Sequence, residues 1–272
     1  MDPILEIQNL CKRYGDHVAV DDISFSVPRG SVFGLLGPNG AGKTTTIRMI
    51  MRIIAADSGT VLLDGQPVDD DRRRVIGYLP EERGLYKKMK VVEHLVYLGT
   101  IRGLRPGEAK KRAAAWLERF ELGEWSTHKV EDLSKGMQQK IQLIGTILHR
   151  PPLLILDEPF SGLDPINTRE LKNLMLQMAE EGVTIVLSTH VLPQVDELCS
   201  DICLINRARP ILLGPLDRIR DDYGGNTWRV SSDLPDGELA ALPGVTSIHP
   251  LGEEKLLEME DGREPRDLLR AL

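Results

Sequence analysis

Two short stretches of this chain hold residues whose types and spacing could do phosphate chemistry. The first is Gly37-Pro38-Asn39-Gly40-Ala41-Gly42-Lys43-Thr44, which fits the spacing G-x-x-x-x-G-K-[ST]. Glycines let the backbone curl until successive N–H groups point at one anion, and the positive end of a following helix adds to that field. In such a loop Lys43 reaches the outer phosphates of a nucleotide, and the Thr44 hydroxyl can ligate Mg2+. The second stretch is Leu153-Leu154-Ile155-Leu156-Asp157-Glu158-Pro159, an aliphatic run closed by two acids. Acids placed directly after a buried strand sit at the carboxyl edge of a sheet, where α/β proteins bind their ligands. There Asp157 can hold Mg2+ through water, and Glu158 can orient or deprotonate an attacking water. A glycine turn and ordinary strand termination are the plain structural alternatives, and the joint occurrence of the two stretches weighs against both.

The flanking sequence supplies elements to position these groups. Val32–Leu36 is an apolar run suited to a buried strand, and Thr45–Arg52 reads as a helix. Val75–Leu79 and Val183–Leu187 read as further buried strands, the second followed by Ser188-Thr189-His190. Between them lies Leu133-Ser134-Lys135-Gly136-Met137-Gln138-Gln139. Ser134 is a natural helix N-cap, and Met137, Ile141, Ile144 and Leu148 continue at helical spacing up to Pro151. An ordinary capped helix would explain that stretch alone.

In this order the stretches resemble the ATP-binding cassette (ABC) ATPases. Leu133–Gln139 is similar to the signature sequence of that family, Ser161-Gly162-Leu163-Asp164 to its D-loop, and Ser188-Thr189-His190 to its switch histidine. The resemblance runs from about Met1 to about Leu216. It implies an ATPase that uses ATP and Mg2+. Gly37 to Thr45, Tyr14 (stacked on adenine), Ser134, Gly136 and Asp164 would contact the nucleotide; Thr44, Asp157 and Glu81 would contact the metal; Glu158 and His190 would serve hydrolysis. It also implies a homodimer or a pair of related subunits with ATP sandwiched between Lys43 of one and Ser134 of the other, docked on transmembrane permease subunits near Leu85, Tyr86 and Met89.

The chain departs from the family pattern in three places. Lys135 stands where the signature has glycine, Met137 where it has glutamine, and Glu81 where a metal-side glutamine is usual. Lys135 either adds a cation near the γ-phosphate or faces solvent, and solvent is the favoured expectation because most lysines are exposed. Glu81 brings a full charge close to phosphate oxygens, so metal dependence is expected to be unusual. These variants, with the run Gly77-Tyr78-Leu79-Pro80-Glu81-Glu82-Arg83-Gly84-Leu85-Tyr86, resemble exporter ATPases of ABC-2 type, including NatA-like sodium-efflux systems.

Composition bounds the remaining readings. The net charge of −7 opposes nucleic acid as the main partner, because phosphate binding rests on basic surface. Arg72-Arg73-Arg74, Lys87-Lys88 with Lys90, and Lys110-Lys111-Arg112 read as short solvated faces. No apolar stretch approaches the roughly 20 residues that cross a bilayer, and Asp2 is not followed by a leader pattern. A cytoplasmic protein, peripheral on the inner face of the cell membrane, is expected. Cys11, Cys199 and Cys203 suit a reducing compartment. Two alternatives remain: a soluble ABC ATPase acting on nucleic acid or ribosomes, and a nucleotide sensor that regulates a partner by binding alone.

The expected fold is α/β, a P-loop NTPase of ABC ATPase type. Residues 1–223 would form a mainly parallel core sheet, an antiparallel β-subdomain from alternating Ile4–Val27 with a hairpin at Asp64-Gly65, and an α-helical subdomain at about 82–150. That subdomain contains helices Val91–Arg102 and Glu108–Phe120, the second with Ala113, Trp116, Leu117 and Phe120 directed to the core. Helix Leu192–Cys199, strand Ile202–Asn206 and helix Leu216–Tyr223 would complete the domain. After a hinge at Gly224-Gly225-Asn226, residues 227–272 would form a small accessory α+β domain: a strand at Trp228–Val230, a helix near Glu238–Leu242, strands Val245–Ile248 and Lys255–Met259, and a last helix Pro265–Leu272.

Overall fold

The computed structural model describes residues 2–82, 84–223, 227–232, 234–251 and 254–260. The chain divides into two compact units, Met1–Leu216 and Asp217–Leu272. In the first unit, strands β1 (Pro3–Tyr14) and β2 (His17–Pro28) pair antiparallel, with Leu5 opposite Val27 and Ile7 opposite Phe25. Their alternation buries one face, and Phe25 stacks on Phe33 of the core with ring centroids 4.9 Å apart. β3 (Val32–Leu36) enters that core and leads through the glycine loop into α1 (Lys43–Ile50). This helix starts two residues before the expected Thr45. Gly42 caps it in a left-handed conformation, and Arg52, also left-handed, has already left it.

β4 (Ser58–Leu63) and β5 (Gln66–Pro67) form the expected hairpin, turned by Asp64 and Gly65 at positive φ, and complete a four-stranded sheet in the order β2-β1-β4-β5. A short helix α2 (Asp70–Arg74) precedes β6 (Ile76–Leu79). On it Arg73 and Arg74 pair with Asp70 and Asp71. The helical region comprises α3 (Val91–Ile101), α4 (Pro106–Arg119) and α5 (Lys135–Ile147). Helix α4 begins earlier than expected because Pro106 occupies its first turn, where a missing N–H costs nothing. Ala113, Leu117 and Phe120 are buried as expected, but Trp116 is only half-buried and forms the wall of a cleft. Arg102 ties this region to the sheet by donating to the carbonyl of Ile76 at 3.1 Å.

β7 (Leu153–Asp157), α6 (Pro165–Glu180), β8 (Thr184–Thr189), α7 (Leu192–Leu198), β9 (Asp201–Asn206) and β10 (Arg209–Pro215) follow. The six-stranded sheet has the order β10-β9-β3-β8-β7-β6; all pairs are parallel except β10 with β9. β3 and β7 are buried at every position, the pattern of parallel strands covered on both faces. Cys199 and Cys203 are free, buried thiols, and burial pushes the pKa of each up to about 12, which leaves them unreactive.

Helix α8 (Leu216–Tyr223), all but its first residue in the second unit, is followed by β11 (Thr227–Val230), α9 (Asp236–Ala240), β12 (Val245–Leu251) and β13 (Glu254–Met259). The strands form an antiparallel sheet in the order β11-β13-β12, with Leu239, Leu257 and Met259 at its core. The hinge expected at Gly224–Asn226 and the helix expected at Pro265–Leu272 lie outside the described residues.

Candidate active site

Strand register brings the chemistry to one edge of the sheet. Leu36 lies opposite Thr189, Asp157 opposite Ser188, and Leu79 opposite Leu156. Parallel strands ending in step release the glycine loop, Glu158, His190 and Pro80-Glu81 on the same side. A cleft of about 340 Å³ results, lined by Tyr14, His17, Ala19, Asn39 to Thr45, Glu81 and Glu158. Tyr14 is 51% exposed, with the Lys12 ammonium 5.4 Å from its ring centre. Lys12 is itself fixed by an ion pair to Asp57 at 2.7 Å.

The loop has the curl that its glycines allow. Gly37, Gly40 and Gly42 have φ of 151°, 79° and 113°. A Cβ at Gly42 would come within 2.5 Å of the Ala19 carbonyl oxygen, so close backbone approach demands glycine there. Lys43 is 5% exposed, and its ammonium donates to the carbonyls of Gly37 at 2.8 Å and Pro38 at 3.3 Å. Gly37 and Pro38 therefore secure the lysine with their carbonyls instead of lining the cleft.

The two acids have opposite environments. Asp157 ends β7 and is 1% exposed; neither of its carboxylate oxygens has a hydrogen-bond partner. Burial raises its pKa, and the nearby hydroxyls of Ser188 and Thr44, neither in bonding geometry, offset that only in part. Glu158 adopts a left-handed φ of 48°, which turns its side chain away from the strand direction. Its Oε1 lies 3.5 Å from Lys43 Nζ and 3.0 Å from His190 Nδ1. A buried, unpartnered carboxylate beside a threonine hydroxyl fits a hard cation such as Mg2+. Glu81 lines the same cleft, although among the described residues no three carboxylate, histidine or cysteine side chains are gathered into a metal-holding group.

Ser134, Gly136 and Asp164 are not brought to this cleft. Ser134 caps α5 by accepting from the Met137 N–H at 3.3 Å, and Asp164 caps α6 by accepting from the Asn167 N–H at 2.9 Å. Lys135 is exposed, as expected, and lines a neighbouring cleft with Glu81, Asp157 and Glu158. Sequence reasoning missed two glutamines that join α5 to the acid-bearing loops. Gln139 donates to the Pro159 carbonyl at 2.6 Å, and Gln142 to that of Pro80 at 3.2 Å. Their helical spacing, on one side with Thr146, was the available signal, because polar side chains inside a helix–sheet interface must find partners.

Known proteins share this arrangement. A family profile described as "ABC transporter" matches residues 20–161. The chain is 46% identical to the uncharacterized ABC transporter ATP-binding protein YhaQ of Bacillus subtilis (strain 168), over 85% of this chain and 77% of that one. It is 35% identical to the Nod factor export ATP-binding protein I of Cupriavidus metallidurans, over 100% of this chain and 90% of the relative. A solved structure of the ATP binding subunit of an ABC transporter superposes with a TM-score of 0.75 at 34% identity, covering 81% of this chain and 93% of the other. A match that takes in the glycine loop and the acidic strand, and a shared fold around them, place this chain in the ABC transporter family, among its ATP-binding subunits.

Proposed function

We propose that this chain hydrolyses ATP as one half of a nucleotide-bridged pair and so powers export through separate membrane subunits. The observation that carries this reading is the placement of Glu158 Oε1, 3.5 Å from Lys43 Nζ and 3.0 Å from His190 Nδ1. Arriving phosphates would draw Lys43 from its carbonyl partners toward stronger, doubly charged hydrogen bonds. Glu158 would then lose its ion pair and keep His190, becoming an oriented acceptor for the proton of an attacking water. Thr44 and Asp157 would hold Mg2+, which neutralises charge building on the phosphate oxygens. Glu81, a carboxylate at the cleft wall, adds one negative charge to that environment, and an altered preference among divalent ions follows from it.

Pairing is supported by what the cleft lacks. Ser134, Gly136 and Asp164 stand at the starts of two helices and do not line the Lys43 cleft, so in this reading nucleotide held there would meet those helix N-termini from a second subunit, either an identical chain or a related one. Loss of the terminal phosphate would remove the shared ligand and release the closed state. The export direction draws support from the Nod factor export relative, and the ABC-2 type from the Gly77–Tyr86 run. Permease subunits would dock near the half-exposed Tyr86, which meets Tyr97 edge-on at 5.4 Å, and the chain would work at the cytoplasmic face of the membrane.

Complementation of two damaged chains tests the proposal. Lys43→Ala chains and Ser134→Arg chains should each fail to hydrolyse ATP alone, while their mixture recovers one composite site. Normal hydrolysis by Ser134→Arg alone would overturn the shared-site reading.

A further inference from the structure

A second large cleft has no part in the nucleotide site. It occupies about 620 Å³ where the C-terminal parts of α4, α5 and α6 converge on the turn into β8. That size falls in the range of roughly 300–1,000 Å³ typical of small-molecule sites. Its walls are mainly carbon, from Ile147, Leu174, Met178 and Val183. Three guanidinium groups, Arg112, Arg119 and Arg150, line it, against a single acid, Glu181. In a chain of net charge −7, such a local excess of cations needs a physical account.

The three arginines differ in what already occupies them. Arg112 pairs with Glu108 and donates to the Leu148 carbonyl at 3.0 Å. Arg119 lies over the Trp116 ring at 5.0 Å and bonds to Gln177. These two are already engaged by neighbouring groups. Arg150 is exposed, its backbone sits at a left-handed φ of 58°, and its side chain has no hydrogen-bond or ion-pair partner among the described residues. An unengaged guanidinium at the rim of an aliphatic hollow suits an anionic head on an apolar chain. Arg119 covers the indole face, which leaves aliphatic surface as the main wall and disfavours a flat aromatic ligand.

We propose that this cleft is a binding site for a single-chain anionic amphiphile of the fatty-acid class, with its carboxylate at Arg150 and its chain along Leu174, Met178 and Val183. The site is separate from the nucleotide cleft, and the proposal does not rest on ATP hydrolysis.

Dodecanoate, kept below its micelle concentration, is the probe, and titration calorimetry on the full chain is the readout. Saturable binding is expected at one site per chain, and dodecanol should bind about tenfold more weakly or worse because the charge-assisted contact is lost. Arg150→Glu should weaken dodecanoate by a similar or larger factor. Ala115→Trp, an exposed position on the cleft wall, should fill the hollow and abolish binding. Mg-ATP affinity and melting temperature of both variants should match the parent, which separates loss of the site from misfolding. The proposal is overturned by absence of saturable binding in the parent, by equal binding of dodecanol, or by normal dodecanoate binding in a well-folded Ala115→Trp chain. If both variants misfold, the milder Arg150→Gln decides in the same way: it should bind dodecanoate and dodecanol alike, and a retained preference for dodecanoate overturns the proposal.

Discussion

Replacing Asp157 with asparagine should move stability and nucleotide binding in opposite directions. The carboxylate is 1% exposed and neither oxygen has a hydrogen-bond partner, so the ligand-free fold holds a charge that the nearby Ser188 and Thr44 hydroxyls and the Lys43 ammonium offset only in part. Leaving such a group buried costs about 1–3 kcal/mol, and more when it is charged. Asparagine keeps the shape and removes the charge but leaves a neutral amide unpartnered in the same place, so Asp157→Asn should stabilise the ligand-free chain by about 1 kcal/mol, the difference between burying a charged and a neutral group. In a unit of this size, that is a rise of roughly 2–4 °C in melting temperature per kcal/mol. The pH dependence has the matching sign. Burial raises the folded pKa above the ordinary 3.8, so the cost is absent below that value and grows as pH rises from there through the folded pKa. Parent and variant should therefore converge in acid and separate toward neutrality. Mg-ATP should reverse the ranking, because the parent gains ligand-linked stability that the variant cannot. Scanning calorimetry at several pH values, with and without Mg-ATP, measures all of this. A variant that melts below the parent without ligand at neutral pH would refute the reasoning.

Glu158→Gln should lower turnover by roughly 10²–10⁴-fold while Mg-ATP binding persists, and light scattering should then show a doubled mass in Mg-ATP; parental turnover would count against Glu158 as the base. Gly40→Ala should cost only the left-handed penalty of about 1–2 kcal/mol, since nothing lies within 4 Å of the added carbon. Gly42→Ala should cost roughly 1–3 kcal/mol more through its clash with the Ala19 carbonyl, and equal urea midpoints for the two variants would contradict that contrast. Burial pushes His94 down to about 4 from 6.5, so the unfolded chain takes up the proton first and stability should fall as pH drops from 6.5 toward 4. His94→Leu should flatten that fall in urea titrations at pH 7 and 5, and an unchanged difference would sink the assignment.

The residues that could be read from sequence were those whose neighbours in space are also neighbours in the chain. The glycine loop, the aliphatic strand before Asp157 and the Ser134 cap are local patterns, and each is in place. Strand register was not legible, although it alone sets Glu158 beside His190, because pairing depends on residues some 30 positions apart. Gln139 and Gln142 were missed for the same reason: the carbonyls they reach belong to distant loops. Helix α6 could have been found, since Asp164-Pro165 is a capped start and Leu171, Leu174, Met175 and Met178 form one buried stripe. Trp116 follows the stripe of α4 yet stands at a cleft wall, because periodicity gives a face and not the depth of what covers it.

The left-handed backbone at Glu158 bears on how such a chain drifts over generations. A residue with a Cβ is held there at a conformational cost of about 1–2 kcal/mol, and glycine would relieve it. Glycine in place of Glu158 would also lose the contacts to Lys43 and His190, which oppose that relief, whereas a neutral residue of the same shape at Asp157 is downhill for the ligand-free fold. Gene copies released from selection for turnover should lose Asp157 early, with Glu158 kept longer by its partners, and emerge as sturdier, silent relatives.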